Sequence, residues 1–224
     1  YCWIGSSMTN LRNALMQAAG TAASGDPVYV EDVFSTYIYD GNNTTNAIVN
    51  GLDLAGEGGM LWTKRRDGTK DNRIWDTERG RAVALISNSS AGNGATSTAS
   101  EDLISFNSNG FTFGANAHYG QNSTSQNFVS WSFRKQKGFF DCKAVTKSSG
   151  SDLVVDFSDL GSIGFVVVKE TGGSSDWYAW SKGMTSTHHI KLNSDQATST
   201  DNYITVSGTN VTLKDGVYGS GDSI

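Results

Sequence analysis

Residues 34–43 read Phe-Ser-Thr-Tyr-Ile-Tyr-Asp-Gly-Asn-Asn, and this stretch sets the pattern for the whole chain. Phe34, Thr36 and Ile38 would share one face of an extended segment, with the intervening residues on the other face. The Asp-Gly-Asn-Asn run at its end is typical of a turn. The same alternation between turns predicts further strands at residues 47–54, 60–64, 73–76, 82–87, 103–106, 111–113 and 128–134. Short strands at this spacing favour an antiparallel β-sandwich or jelly roll.

The strand pattern returns later in the chain in the same order. The matched segments, which place apolar residues opposite apolar residues, are 60–64 with 165–169, 85–89 with 190–194, and 111–113 with 211–213. Colinear self-similarity of this kind indicates a repeated structural unit. We therefore predict an all-β protein with two tandem antiparallel β-sandwich repeats, jelly-roll or concanavalin-like, at residues 33–137 and 138–224. Only Ile224 remains where a counterpart of strand 128–134 would begin, so we expect the second repeat to lack its last strand.

Residues 1–32 differ from the repeats and form a predicted leader. Residues 1–7, Tyr-Cys-Trp-Ile-Gly-Ser-Ser, do not resemble the rest of the chain, and we expect Met8 to be the natural start, with upstream read-through or a tag before it. The apolar residues after Met8 that fall at helical spacing are Leu11, Ala14, Leu15 and Ala18. This spacing predicts a short amphipathic α-helix, with a signal peptide as the disfavoured alternative.

The composition excludes several classes of protein. Charged residues make up 17% and hydrophobic residues 37%, so Ser, Thr, Asn and Gly must supply much of the polar surface, as in sandwiches, fibres and adhesins. A net charge of −5 argues against a nucleic-acid partner, because phosphates require a basic face. No apolar run approaches the ~18 residues that cross a bilayer. Cys2 lies in the leader, so we expect no disulfide between Cys2 and Cys142.

Part of the sequence resembles a known family. The segments that carry the likeness are residues 51–67, 74–80, 105–114 and 129–135. They are similar to a repeated lectin-like, jelly-roll module in tail-fibre-like virion proteins of marine bacteriophages. The second repeat departs from it, because residues 176–180, Asp-Trp-Tyr-Ala-Trp, stand in place of the Asp-Thr-Glu-Arg-Gly turn. The resemblance implies a virion location and partnership with other tail proteins. It transfers no catalytic residue.

The candidate ligand-binding residues are two tryptophans and two carboxylates. Trp177 and Trp180 follow a Gly-Gly-Ser-Ser run, and exposed indole rings are common platforms for sugar rings. Packing in the core is the competing and favoured interpretation for both. Asp53 and Glu57 lie in a glycine-rich loop and are the candidate carboxylates. A hydrolase would need two carboxylates held on either side of a glycosidic bond, which such a loop does not provide.

The remaining polar motifs indicate structural roles. Asp76 and Arg79 would form an ion pair that holds a turn. The histidines, which we interpret as surface residues, are His118, His188 and His189. Asp67, Asp71 and Asn72 offer oxygen atoms, but their spacing matches no calcium loop. We expect no metal and no cofactor, and we expect Trp62 and Trp131 to lie in the core.

The leading functional hypothesis is a non-catalytic, surface-exposed domain of a bacteriophage tail that binds host cell-surface polysaccharide. A secreted bacterial adhesin or carbohydrate-binding module, located outside the cell, is the alternative. A polysaccharide depolymerase is a third hypothesis. The sequence leaves self-association into a homo-oligomer open.

Overall fold

Alternating side chains form β-strands throughout the described part of the chain. The computed structural model describes residues 27–92, 101–115, 118–148, 150–200 and 202–215. The chain divides into two compact units, residues 1–30 and residues 31–224. The predicted helix near Leu11 and the predicted missing strand after Ile224 lie outside the described residues. The predicted all-β, antiparallel class is confirmed.

The strands run in order along the chain. They are β1 (Phe34–Asp40), β2 (Asn46–Val49), β3 (Gly59–Arg65), β4 (Arg73–Asp76), β5 (Leu85–Ile86), β6 (Leu103–Asn107), β7 (Gly110–Phe113), β8 (Asn127–Arg134), β9 (Leu153–Asp156), β10 (Phe165–Val168), β11 (Tyr178–Ser181), β12 (Ile190–Lys191), β13 (Ile204–Ser207) and β14 (Asn210–Leu213). Short 3₁₀ helices occupy Val30–Asp32 and Ser158–Leu160.

Residues 34–134 form a two-sheet arrangement. One sheet has the order β1-β8-β3-β4-β5 and the other the order β2-β7-β6, with antiparallel neighbours in both. Side chains from both sheets meet in one apolar cluster, which includes Leu61, Trp75, Phe111, Phe113 and Phe128. Each of these side chains is fully buried. Burying large apolar groups between two sheets is what stabilises a β-sandwich.

Residues 153–213 form a second arrangement of the same kind. One sheet has the order β10-β11-β12 and the other the order β13-β14-β9. Their inner faces share a second apolar cluster that includes Val168, Trp180, Ile204, Val211 and Leu213. Among the described residues, β10 pairs on one edge only, whereas β3 pairs with β4 on one edge and β8 on the other.

The strand registers of the two arrangements correspond. Leu61 lies opposite Trp75 in β3 and β4, and Val166 lies opposite Trp180 in β10 and β11, each residue 105 positions later. The hairpins β6–β7 and β13–β14 follow the same rule at a spacing of 100 positions, from Phe111 to Val211. A bulge in β6 limits the second correspondence to three pairs, because Leu103 lies opposite Phe113 whereas Ile204, 101 positions after Leu103, lies opposite Leu213.

Our placement of Trp62 and Trp131 in the sandwich core is wrong. Phe128, Ser130 and Ser132 are the buried residues of β8, and Trp131 is half-buried on the opposite face, where it packs edge-to-face with Trp62 at 5.9 Å. The small polar residues can face inward because they have partners. Ser132 Oγ, for example, accepts a hydrogen bond from the side-chain amide of Asn50 at 2.9 Å.

A third apolar cluster joins the two sandwiches. Ile74 and Leu85, from the outer face of the first, are buried against Trp177 of the second. Partly buried side chains complete the cluster, namely Met60, Trp62, Val167 and Leu192. We call this cluster the junction. It explains why residues 31–224 form one unit and not two.

Candidate functional site

Trp177 is a packing residue of the junction and not a sugar-binding platform. Only 5% of it is exposed, and its ring packs against Ile74 and Leu85. Its indole N–H donates to the carbonyl oxygen of Ile86 at 2.8 Å. The candidacy of Trp177 for sugar binding is therefore wrong, because the neighbouring sandwich covers its ring face.

Trp180 is also buried, in the core of the second sandwich. It is 6% exposed, and its indole N–H donates to the carbonyl oxygen of Thr185 at 2.9 Å. Its side chain points to the inner face of β11, opposite Val166. A sugar ring could not reach it, so its candidacy for ligand binding is likewise wrong.

At the edge of the junction, the two sandwiches are joined by a lysine hydrogen bond and by close backbone contacts. Lys169 is 5% exposed, and its ammonium group donates to the carbonyl oxygen of Ser90 at 3.2 Å across the junction. Burial lowers the pKa of Lys169. Gly92 lies so close to the second sandwich that a Cβ there would stand 2.6 Å from the carbonyl oxygens of Thr171 and Gly173. Any larger residue at position 92 would push the two sandwiches apart.

An Asp–Asn hydrogen-bond pair holds the loop before β4, and the same pair recurs before β11. The side-chain amide of Asn88 donates to Asp71 at 3.0 Å, and its oxygen accepts from the backbone N–H of Asn72 at 2.9 Å. In the same way, the side-chain amide of Asn193 donates to Asp176 at 2.9 Å. Its oxygen accepts from the backbone N–H of Trp177 at 2.8 Å. We call each set a clasp. The sequence signals for the clasp are the matches of Asp71 with Asp176 and of Asn88 with Asn193, each 105 positions apart.

Acid should weaken the second clasp. Hydrogen bonds from Lys191 and then Asn193 hold the pKa of Asp176 below the ordinary value of an aspartate. A carboxylate with a lowered folded-state pKa contributes stability that is present above the unfolded pKa and is lost as pH falls through the folded pKa. We therefore expect Asp176→Asn to destabilise the protein at pH 7 and to have a smaller effect near pH 3. Urea unfolding at both pH values measures this.

The matched control for that experiment is Asp195→Asn, which replaces an exposed carboxylate two residues after Asn193. It should leave the urea midpoint nearly unchanged at both pH values. An equal effect of Asp176→Asn at pH 7 and pH 3 would contradict the role of the ionised clasp.

A surface cleft lies where the loops after β2 and β8 meet the start of the second sandwich. Its volume is about 330 Å³. The lining residues are Glu57, Lys135, Gln136, Lys137, Phe140, Asp141, Asp159 and Leu160. Carboxylates, amines and an amide surround one aromatic ring there. Such a lining can bind a polar, hydroxylated ligand through side-chain hydrogen bonds.

The two candidate carboxylates have different surroundings. Glu57 reaches the cleft and stands 3.9 Å from the guanidinium of Arg134. Asp53 does not line the cleft, and its carboxylate accepts the backbone N–H of Gly56 at 2.7 Å, which closes the loop. Only Glu57 therefore keeps a place among the candidate binding residues.

Lys135 is the best-anchored charge in the cleft. Its ammonium lies 2.5 Å from Glu78 and 3.2 Å from Asp141. Burial acts to lower the pKa of Lys135, but the hydrogen bonds to these carboxylates outweigh it and raise the pKa. Lys135 thus stays protonated and suits the binding of ligand oxygens better than proton transfer.

Cys142 follows the cleft-lining Asp141 in the sequence, and its thiol is unreactive. Burial is the main factor that raises its pKa to about 12. The thiolate is the reactive form of cysteine, so a protonated thiol is a poor nucleophile. The Cys142 side chain is not disulfide-bonded within the described residues.

Asp76 and Arg79 lie in the turn after β4 and hold it closed. The Asp76 carboxylate accepts the backbone N–H of Arg79 at 2.8 Å and its Nε–H at 2.7 Å. Both side chains are largely buried, with 11% and 13% of their surface exposed. The pair therefore acts as a structural element of the turn.

The histidine prediction is wrong for His189. This residue is fully buried, and its ring packs between Tyr178 and Tyr203, each at a centroid distance of 5.0 Å. His188, just before it, lies outside any strand and is partly exposed. The sequence did not show which of the two points inward.

The oxygen-bearing residues that we considered for calcium are held by protein groups. Asp67 accepts from Arg65 at 2.7 Å, and Asp71 pairs with Arg73 and Asn88. Among the described ranges, no three or more His, Cys, Asp and Glu residues form a group suited to a metal ion. None of the helices in those ranges is both long and apolar enough for a membrane span.

The sequence did not reveal a buried polar network that hydrogen-bonds to Tyr39 of β1 and Thr63 of β3. Gln121 and Asn122 are fully buried. Gln121 accepts a hydrogen bond from Thr63 at 3.0 Å, and its backbone carbonyl accepts one from the hydroxyl of Tyr39 at 2.9 Å. No local pattern marks these residues, because their partners lie far away in the sequence.

Comparison with known proteins gives one family match. No curated protein and no solved structure shows significant similarity to the chain. A family described as a domain of unknown function (DUF7483) matches residues 30–222, which include both sandwiches, the junction and the cleft. The match covers most of the sequence, and the chain therefore belongs to the DUF7483 family.

Proposed function

We propose that this chain is a structural, non-catalytic segment of a bacteriophage tail, built from two tandem β-sandwich repeats and exposed on the virion surface. The observation that carries the proposal is the buried contact between two sandwiches whose strands pair in corresponding registers. The likeness of residues 51–67 and their companion segments to tail-fibre-like modules supports the viral setting.

The tandem repeat is supported at three levels. The strand order β3-β4-β5 corresponds to β10-β11-β12, and β2-β7-β6 corresponds to β9-β14-β13. Residue pairs of β3–β4 and β10–β11 keep a spacing of 105 positions, and three pairs of β6–β7 and β13–β14 keep a spacing of 100. The clasps of Asn88 and Asn193 repeat the same hydrogen bonds at the first of these spacings.

The junction supports a structural role. Units that must hold a ligand-binding surface at a set orientation benefit from an apolar, hydrogen-bonded contact, whereas a flexible linker would let them reorient. Trp177 and Lys169 each donate across the junction to a backbone carbonyl of the first sandwich. An apolar contact with these hydrogen bonds suits a stiff array of sandwiches.

The cleft supports a second element of the proposal, contact with host cell-surface polysaccharide. Glu57, Lys137 and Asp159 offer charged or hydrogen-bonding groups beside the ring of Phe140. Sugars are bound through hydroxyl hydrogen bonds together with contacts to aromatic rings. The anchored ammonium of Lys135 favours binding over bond cleavage.

Immunogold electron microscopy tests the viral assignment. Antibodies raised against the 224-residue chain should label the tails of virions purified from cells that produce the corresponding virus. The control is the same labelling after the antibodies have been absorbed with the purified chain, which should remove the gold from the tails.

The alternatives predict different results. Label on the bacterial envelope, with none on purified virions, would contradict the proposal and favour a secreted adhesin. Release of reducing ends from host polysaccharide on incubation with the purified chain would contradict the non-catalytic role and favour a depolymerase.

A further inference from the structure

The cleft has an aromatic wall whose position is fixed by contacts within the protein. The ring of Phe140 packs against the ring of Phe133, with the two centroids 5.4 Å apart. Two backbone hydrogen bonds close the turn that carries Phe140. The N–H of Gln136 donates to the carbonyl oxygen of Phe140 at 2.9 Å, and the N–H of Phe140 donates back to Gln136 at 3.1 Å. A binding group that is held in place before the ligand arrives loses less conformational entropy on binding.

The second sandwich supplies the opposite wall of the cleft. The backbone N–H of Gly138 donates to the carbonyl oxygen of Asp159 at 2.9 Å, and this bond ties the loop after β8 to the 3₁₀ helix Ser158–Leu160. Asp159 and Leu160 of that helix line the cleft. The cleft volume of about 330 Å³ lies near the lower end of the range for ligand pockets, roughly 300–1,000 Å³. A cleft of this size suits a small unit of a polymer.

The charges of the cleft are balanced. The charged residues that line it, taken together with their ion-pair partners, comprise as many carboxylates as cations. The carboxylates are Glu57, Glu78, Asp141 and Asp159, and the cations are Lys135, Lys137, Lys143 and Arg134. Because neither sign is in excess, these groups do not create the one-sided field that would concentrate an ionic ligand in the cleft.

Charged groups of both signs remain available to a ligand. Asp159 and Lys137 are exposed, and neither forms an ion pair with any residue in the described part of the chain. The side chain of Glu57 is 56% exposed and meets Arg134 only at 3.9 Å. A carboxylate accepts hydrogen bonds, an ammonium group donates them, and a hydroxyl group does both. A sugar hydroxyl can therefore bind to either kind of group in this cleft.

An ionic sugar fits this lining less well than an uncharged one. The carboxylate of a uronic acid or the sulfate of a sulfated sugar would meet Glu57 and Asp159, and like charges repel. The ammonium of an amino sugar would meet Lys137 for the same reason. The ammonium of Lys135 does not compensate for an added anion, because Glu78 and Asp141 already neutralise it at 2.5 and 3.2 Å.

We propose that the cleft binds an uncharged sugar unit of a neutral polysaccharide. The ring of Phe140 contacts the face of the sugar, while Glu57, Asp159 and Lys137 bind its hydroxyl groups. This inference rests on the proposed contact with host polysaccharide and adds the chemical class of that polysaccharide. The net charge of −5 acts in the same direction, because it repels anionic polymers from the protein surface.

Matched polysaccharides test the chemical class on the full chain. The probes are dextran, mannan and galactomannan, each compared with its sulfated and its diethylaminoethyl derivative, which add negative or positive charge to the same backbone. Isothermal titration calorimetry should detect binding of at least one neutral polymer, with both of its charged derivatives about tenfold weaker or more. Affinity for the neutral polymer should change less than about twofold between about 0.05 and 0.5 M NaCl, because salt screens interactions between charges.

A matched pair of variants locates the binding in the cleft. Phe140→Ala removes the aromatic wall and should weaken binding about tenfold or more. Phe139→Ala removes the neighbouring ring, which is 43% exposed and does not line the cleft, and should leave binding unchanged. If Phe140→Ala fails to fold, Asp159→Asn tests the same cleft. It should weaken binding several-fold, because an amide oxygen accepts weaker hydrogen bonds than a carboxylate, whereas Asp195→Asn should not.

The outcomes that contradict the inference are distinct from those that contradict the proposed function. A charged derivative that binds more tightly than its neutral parent, with Phe140→Ala abolishing that binding, would overturn the neutral class and retain the contact with polysaccharide. Equal effects of Phe139→Ala and Phe140→Ala would overturn the cleft as the site. Failure of every polymer to bind would overturn both the inference and the polysaccharide contact, whereas the immunogold label tests the tail location independently.

Discussion

Replacing Trp177 with alanine is expected to destabilise residues 31–224 by about 3–5 kcal/mol, as truncation of a buried tryptophan does. The ring packs against Ile74 and Leu85 across the junction, so its loss opens a cavity between the two sandwiches. It also removes the donor to the carbonyl oxygen of Ile86, a bond of 2.8 Å. Urea unfolding followed by circular dichroism measures the change.

Trp177→Phe is the matched control, because it keeps a six-membered aromatic ring and loses the pyrrole part of the indole with its N–H. Its cost should be about 1–2 kcal/mol, the range for a buried acceptor left without its partner. Equal effects of Trp177→Ala and Trp177→Phe would show that packing contributes nothing at this position. An alanine variant within about 0.5 kcal/mol of the wild type would show that the junction does not form in solution.

Asn122→Leu is the second substitution with a large expected effect, about 2–4 kcal/mol. The Asn122 amide donates to the carbonyl oxygens of Thr44 and Gly114 at 2.7 and 2.8 Å. Its side-chain oxygen accepts from the backbone N–H of Asn42 at 3.1 Å and from the side chain of Asn46 at 3.0 Å. Leucine preserves the volume but leaves these groups unsatisfied, and each buried orphan costs about 1–3 kcal/mol.

The control for this substitution is Asn210→Ala, which changes an exposed asparagine at the start of β14. It should alter the free energy of unfolding by no more than about 0.5 kcal/mol, as surface substitutions usually do. The measurement is again the urea midpoint. An Asn122→Leu variant as stable as the control would mean that water replaces the lost partners and that the network is not sealed.

Residue patterns within a few positions of one another were predictable from the sequence. The predicted strand 128–134 compares with Asn127–Arg134 in the structure, and the predicted strand 73–76 compares with Arg73–Asp76. Period-two alternation is a local property of the backbone, so it survives in any tertiary setting. The contact between Asp76 and Arg79 is local for the same reason, because the two residues are three positions apart in one turn.

Strand length was less predictable where a turn interrupts the pattern. The predicted strand 47–54 ends at Val49, and Gly51 has a φ of +87°, which favours glycine. The predicted strand 82–87 shrinks to Leu85–Ile86. β2 stops pairing at Val49, opposite Gly110, where its neighbour β7 begins. β5 pairs only with Arg73 and Ile74, although β4 continues to Asp76. Strand ends depend on the partner strand, which the local sequence does not reveal.

The choice of inner and outer face was decided by tertiary structure. Alternation divides β8 into two faces but does not say which is buried, and hydrophobicity alone pointed to the face of Trp131. The face of Ser130 and Ser132 lies inside because distant groups, such as the amide of Asn50, satisfy its hydroxyls. The face with the larger apolar side chains, including Trp131, therefore lies on the outer side of the sheet.

The features of the candidate site also divide into those that the local sequence determines and those that tertiary contacts determine. The sequence by itself determined the alternation that forms the strands and the local turn of Asp76 and Arg79. Only the tertiary structure decided that Trp177 is sealed in the junction, that His189 is buried and that Glu57 shares a cleft with Asp141 and Asp159. Those outcomes depend on contacts between segments far apart in the chain. Such contacts arise when apolar faces bury one another, and they leave no periodic signal in the sequence.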